Sequence, residues 1–491
     1  MTIHPAFPDT VHYRDLNRPR HVEGFAHDLF VEGEIPGEIE GAFFRAIQDP
    51  AYPPKFENDH ILSHDGMISK IDFRDGRVSA AIRYVRTERF LANRAAGRNL
   101  FGVYRNPFTD DPAVEGVDRT VCNTTPYMHA GRLFQAKEDG LPYQIDPETL
   151  ETIGRWDAGG KITSLTLTAH PKRDPDTGEL FLFGYEADGL ASTKVAYYVF
   201  SADGDITHEI WFDAPYASFQ HDFAITEKHA VFLVYPSIAD LDRLKAGGPH
   251  WVHHPDVSSW VGVMPRYGNA EDMVWIEGPK GVHSFHVMNA FDDGSKLHLD
   301  KCLFNTNFFP FVMEDSGIEG PPDGALTRWT VNLDDPSAEV TETQFGPLCE
   351  MPMIAAADVG RRYGRGWYLT VDPEKMSRIA NGPADVALNC LCRVSLAEGV
   401  PDGKVASFSQ GPGVCFNEPM HVPSRDPAHG GWLLMMTDHL IGEGHFAQEL
   451  YILEADDIEK GPIARVFMPF TSCEQVHGAW ISRETLDAAR S

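Results

Sequence analysis

Long apolar runs are missing from this 491-residue chain, and no stretch approaches the ~18 consecutive apolar residues of a membrane-crossing helix. The opening residues, MTIHPAFPDTVHYRDLNRPR, carry no apolar secretion core, so a cytoplasmic location is expected. Positive charge is scarce as well. The 42 Lys and Arg face 72 Asp and Glu, a formal net charge of -30 that is spread along the chain. Such a surface disfavours contact with phosphates, which argues against nucleic acid as a partner and for a soluble acidic protein. The seven cysteines are an odd number without zinc-type spacing. Cys390 and Cys392 form a C-x-C that strand alternation places on one face, and free thiols are expected. No Gly-rich phosphate loop precedes a helix, and neither a G-x-S-x-G elbow nor an H-E-x-x-H frame occurs.

Helical periodicity is also rare. Segments 237–246 (SIADLDRLKA) and the final ETLDAARS are the short candidates. Instead, β-rich runs alternate with turn residues: ELFLFGYE at 179–186, HAVFLVYP at 229–236, GWYLTVD at 366–372 and GWLLMMTD at 431–438. A weak repeat organises them. A strand runs into an acidic residue, a turn follows, and a second strand begins, at 68–85, 143–156, 197–212, 285–304, 328–345, 392–408 and 450–467. About seven copies of such a hairpin predict an all-β, seven-bladed β-propeller. No linker stands out, so residues 1–491 read as a single domain.

The 22 histidines are too many for a count to select ligands. HWVHH at 250–254 and the His283–His286 pair are local clusters without a helical frame. Four other segments set a histidine in a distinctive context: TAHPKRDPDTGELFLF, SFQHDFAIT, HSFHVMNAF and EQVHGAW. Together they resemble the four iron-binding segments of the carotenoid cleavage oxygenases, a superfamily that includes the lignostilbene dioxygenases. HDGMI (64–68), KEDGLPYQIDPETLET (137–152) and NEPMHVP (417–423) extend the resemblance over nearly the whole chain.

The resemblance implies Fe(II) on a propeller axis, held by His170, His221, His286 and His477, with loops and short helices capping the iron face. Four neutral imidazoles suit a redox-active divalent iron and leave its charge uncancelled. It also implies that Glu138, Glu350 and Glu418 orient His221, His286 and His477 by accepting their distal N–H groups. Met351 departs from the family, where many members have Phe after that glutamate. Lys137 stands where carotenoid-cleaving relatives have an apolar residue, and with Tyr104 it resembles the pair that grips a substrate 4-hydroxyl in the lignostilbene branch. The implied reaction is cleavage of the central double bond of a phenolic stilbene by O2 into two aldehydes, with electron release from a phenolate activating the alkene. Thr124 aligns with a threonine near the iron, and Phe308 and Phe309 are candidates for an aromatic slot. An apocarotenoid oxygenase with the same iron site is the alternative. A partner-binding propeller has no use for the four histidine motifs, and a zinc hydrolase would favour three or four tetrahedral ligands with a carboxylate or Cys. Relatives in this branch are often dimers, so a homodimer is expected.

Overall fold

The computed structural model describes residues 6–313, 322–375, 379, 381–382, 386–442 and 444–490. Among them, seven antiparallel sheets of four to six strands and one two-stranded ribbon account for nearly all regular structure. The burial pattern explains why so many strands read as continuous apolar runs. In the sheet ordered Lys172–Arg173, Leu180–Tyr185, Lys194–Phe200, Ile206–Asp213, the second strand is buried along its whole length and the third nearly so. The last strand alternates, and in other sheets the corresponding strands Thr341–Gln344 and Val400–Ser409 are largely exposed. Inner strands are thus covered on both faces, and polarity returns only at the outer edge.

The chain forms two compact units. One comprises Met1–Ile162, Val371–Leu391 and Ser407–Ser491; the other comprises Thr163–Thr370 and Cys392–Ala406. The first contains three sheets and the second four, apart from the ends of two strands of its last sheet. Within the first unit, chain ends meet. Gln475–Ser482 pairs with Gly41–Gln48, and Pro462–Phe467 pairs with Val31–Gly33.

Every expected hairpin forms, yet the agreement on seven is partly fortuitous. Segments 285–304 and 328–345 are the first and second halves of one sheet, in which Val287–Asp293, Lys296–Phe304, Gly324–Asn332 and Thr341–Gln344 run in order. The repeat overlooked the sheet of Phe223–Ile225, His229–Val234, Ser258–Pro265 and Val274–Lys280. There the chain detours through the ribbon Ser237–Ala239 and Trp251–His253, which interrupts the strand-turn-strand signal. The same detour splits the helix expected over 237–246. Only Leu241–Lys245 is helical, started by the Asp240 carboxylate accepting the Arg243 N–H at 2.7 Å. At the other end Arg483–Ala488 is the helix expected there. All seven cysteines are buried and unbridged.

A buried ion pair fastens two sheets of the second unit. Asp300 and Arg328 are direct cross-strand partners, joined by bonds of 2.7 and 2.6 Å. The Tyr363 hydroxyl, ahead of strand Arg365–Thr370, donates to the same carboxylate at 2.6 Å. Asp300→Ala would strand the Arg328 charge, so it should cost about 3–5 kcal/mol and lower the thermal midpoint. Tyr363→Phe should cost only about 1 kcal/mol. Differential scanning calorimetry of the two variants checks this ordering.

Candidate metal centre and its polar flank

In the second unit, three of the expected histidines stand at the start of the first strand of three successive sheets. His170 precedes Lys172–Arg173, His221 precedes Phe223–Ile225, and His286 precedes Val287–Asp293. This repeated placement accounts for their wide spacing in sequence. The Nε2 atoms of His170 and His221 are 2.9 Å apart, and those of His221 and His286 are 3.3 Å apart.

One carboxylate ties these three segments together. Asp222 pairs with the Lys172 ammonium at 2.7 Å and accepts the Val287 N–H at 2.9 Å. Residues adjacent to His221 and His286 and two after His170 are therefore fastened to one another. The backbone N–H of His170 is further held by Thr168 Oγ1 at 2.9 Å. His286 directs Nδ1 to Glu350 at 2.5 Å, and the Met351 N–H joins on the same oxygen at 3.0 Å. Met351, the residue that departs from the family pattern, has φ +54°. Its left-handed backbone folds that N–H back onto the preceding side chain.

His477 lies inside Gln475–Ser482 in the first unit, and its Nδ1 meets Glu418 at 2.8 Å. The other Glu418 oxygen accepts the Gly478 N–H at 2.9 Å and lies 3.6 Å from Arg45. Arg45 is fully buried and also binds the backbone oxygens of Glu418 and Val476 at 3.0 and 3.1 Å. It can cross here because its partner in register is Gly478; a Cβ at that glycine would fall 2.6 Å from Phe43 and 2.8 Å from Arg45. Burial alone would raise the Glu418 pKa, but His477, Arg45 and the Gly478 N–H outweigh it and hold the carboxyl below its ordinary value. Glu418 therefore stays ionised near neutrality. When Nδ1 donates to a carboxylate, an imidazole carries its lone pair on Nε2. His286 and His477 both meet that condition.

In the second unit His170, His221 and His286 bring their Nε2 atoms together, and in the first unit His477 is the fourth candidate, with its own carboxylate behind it. The donor chemistry fits a divalent transition metal: neutral nitrogen ligands, buried or half-buried, with carboxylates behind them rather than among them. The other histidine clusters serve the fold. His250 pairs with buried Glu186 at 2.9 Å, and His253 binds the Gly281 carbonyl at 3.0 Å.

The remaining expected residues separate into two groups. In the first unit, Lys137 is 1% exposed and Tyr104 5% exposed, with the Lys137 nitrogen 5.3 Å from the Tyr104 ring centre. Lys137 donates to Asn123 Oδ1 at 3.1 Å, and among the described residues no carboxylate pairs with it. Burial and nearby Glu138 push the Tyr104 hydroxyl well above its usual pKa. Glu138 is itself buried, directly after Lys137. Thr124 uses its hydroxyl on Asn123 at 3.1 Å, while its carbonyl accepts the His477 N–H at 3.2 Å. In the second unit, Phe308 and Phe309 pack on Phe285, at 4.9 and 4.1 Å between ring centres. Phe285 in turn lies 5.9 Å from the His221 ring. Asp222, Arg45, Asn123 and Phe285 were not singled out in the sequence. Asp222 and Phe285 each adjoin a candidate ligand, and a charge inside an otherwise buried strand was the available signal for Arg45.

Comparison with known proteins decides the family. Residues 18–482 match the family of the retinal pigment epithelial membrane protein, RPE65. The chain belongs to this carotenoid cleavage oxygenase family. It is 38% identical to lignostilbene-alpha,beta-dioxygenase isozyme III of Sphingomonas paucimobilis, over 98% of this chain and 99% of that protein. It is 39% identical to isoeugenol monooxygenase of Pseudomonas nitroreducens, over 95% and 96%. The crystal structure of Pseudomonas brassicacearum lignostilbene dioxygenase superposes with a TM-score of 0.92 at 39% identity, covering 97% of this chain and all of that one. The seven sheets are accordingly the blades of a β-propeller, as expected from the sequence. No helix among the described residues is long and apolar enough to cross a membrane.

The anchors of the candidate metal centre can be tested apart from turnover. Glu418→Gln and Asp222→Asn should each weaken metal binding about 10–100-fold while leaving strand content intact, because Glu418 orients the His477 imidazole and Asp222 holds together the segments that carry His170, His221 and His286. Metal titration followed by elemental analysis, alongside circular dichroism, measures both effects.

Proposed function

We propose that this protein is an Fe(II)-dependent oxygenase that splits the central double bond of 4-hydroxystilbenes with O2 into two aromatic aldehydes. Iron is assigned to His170, His221, His286 and His477, with Glu138, Glu350 and Glu418 as their orienting carboxylates. The family match over residues 18–482 supports reading residues 1–491 as one oxygenase domain. The relatives' names, a lignostilbene dioxygenase and an isoeugenol monooxygenase, supply phenolic alkenes as the substrate class.

One observation carries the substrate reading: a buried ammonium, Lys137, lies beside a buried phenol, Tyr104, and among the described residues no carboxylate pairs with it. An unpaired charge in such surroundings is costly, and an anionic ligand removes the cost. A polyene offers no such group, whereas the 4-hydroxyl of a stilbene does. Ferrous iron in this centre would supply the activation of dioxygen. Lys137 lowers the pKa of the bound 4-hydroxyl and stabilises the phenolate. Tyr104, kept protonated by its surroundings, donates a hydrogen bond to the same oxygen. Charge released from that oxygen along the conjugated system raises electron density at the alkene. The products balance as one alkene plus one O2 giving two carbonyls. Phe309, stacked on Phe285, and Phe308, edge-on to it, offer an aromatic wall for the rings, and Thr124 lies beside the His477 strand.

After anaerobic reconstitution with Fe(II), 4-hydroxystilbene should consume oxygen and release aldehydes, while its 4-methoxy analogue and an apocarotenal should be poor substrates. Lys137→Met and Tyr104→Phe should each lower kcat/KM by about 10–100-fold, the worth of a hydrogen bond involving a charge. Equal turnover of the 4-methoxy compound would remove the phenolate role, and preferred turnover of the apocarotenal would move the enzyme to the carotenoid branch.

A further inference from the structure

Asn123 is fully buried, immediately ahead of strand Thr125–His129. Its orientation follows from its neighbours. The amide nitrogen lies 2.8 Å from the His64 carbonyl and 3.4 Å from that of Leu62. Carbonyls only accept, so Nδ2 must face them and Oδ1 must face the other way. Oδ1 then accepts from Lys137 Nζ and from the Thr124 hydroxyl, each at 3.1 Å. Among the described residues, the Asn123 amide is thus the one hydrogen-bond partner of the Lys137 ammonium. The next residue, Thr124, holds the His477 backbone.

We infer that Asn123 is a positioning and specificity residue, a neutral tether that aims the Lys137 ammonium without cancelling its charge. The inference rests on the phenolate reading above and explains how that charge remains available. A neutral amide is the chemistry the task requires. Its dipole stabilises an ammonium enough to hold it in place, yet it leaves a full positive charge for the substrate oxygen. A carboxylate of the same shape would form a buried ion pair with Lys137, and the incoming phenolate would then meet a neutral pair. An acceptor-poor side chain would leave the ammonium unsupported and favour the neutral amine. The two backbone carbonyls prevent the amide from turning, so the lysine cannot follow a rotating partner.

The test uses the iron-loaded enzyme without oxygen, where 4-hydroxystilbene binds but does not react. Ionisation of the bound phenol is read from its red-shifted absorbance across a pH series. Asn123→Asp should raise the bound phenol's pKa by at least about one unit, a tenfold loss in the phenolate fraction at fixed pH. Asn123→Ser, a smaller neutral change, should weaken 4-hydroxystilbene binding about tenfold through loss of the ammonium's anchor, with 4-methoxystilbene binding unchanged. An Asp variant that ionises the phenol like the parent would overturn the tether while sparing the phenolate reading. So would a Ser variant that weakens both ligands equally, which is the mark of a merely structural residue. If the parent enzyme itself leaves the phenol neutral, both the tether and the phenolate reading fall.

Discussion

Imidazole nitrogens 2.9 and 3.3 Å apart impose the constraint from which the rest of the centre follows. Neutral rings whose lone pairs converge repel one another unless a cation lies among them. The protein must therefore hold them in place from behind. The second unit does so twice. Glu350 fixes the tautomer of His286, and Asp222 binds Lys172 and the Val287 N–H so that three strand starts stay in register. In the first unit Glu418 performs the first task for His477, backed by Arg45. Within each unit the anchoring carboxylate meets the Nδ1 side of its imidazole, away from Nε2. The charges that stiffen the candidate site thus stand behind the imidazoles rather than among their Nε2 atoms.

That division explains an otherwise expensive feature, the fully buried guanidinium of Arg45. Such a group is tolerable only when its donors are satisfied. Here they reach Gln475, the Glu418 carbonyl and the Val476 carbonyl, as well as lying near the Glu418 carboxylate. Gly478 makes the crossing possible, since any side chain would collide with Phe43 and Arg45. The H-G-x-W stretch thus reads physically: a ligand followed by the one residue thin enough for its carboxylate's support to pass.

Much of this was legible in the sequence, and the failures have physical causes. Strands such as Leu180–Tyr185 and His229–Val234 announced themselves because both faces are buried, leaving unbroken apolar runs. The candidate ligand histidines stand out in the sequence only as motifs, since partners 51 and 65 residues apart carry no periodic signal. The hairpin repeat reached seven by counting one blade twice and missing another, whose ribbon at Ser237–Ala239 and Trp251–His253 interrupts the pattern. Helix propensity over 237–246 yielded to that pairing. Asp222 and Asn123 escaped notice because each acts across the fold. An Asp beside a histidine and an Asn before two threonines look ordinary until their partners are known.

Lys137 and Tyr104 differ in what they can supply, and the difference assigns the proton. Burial and Glu138 raise the Tyr104 hydroxyl well above the usual phenol range, so at neutral pH it keeps its hydrogen and acts as a donor. In the function proposed above, a substrate phenol starts from the ordinary value near 10 and enters beside an ammonium with which, among the described residues, no carboxylate pairs. Of two phenols in one polar flank, the protein destabilises its own anion and stabilises the guest's. On that proposal charge accumulates on the substrate oxygen, where conjugation delivers it to the alkene, and Tyr104 donates its hydrogen to that oxygen. The proposal therefore makes selectivity for a 4-hydroxyl over an ether or a polyene a consequence of this asymmetry, because neither alternative can carry the charge that Lys137 would balance.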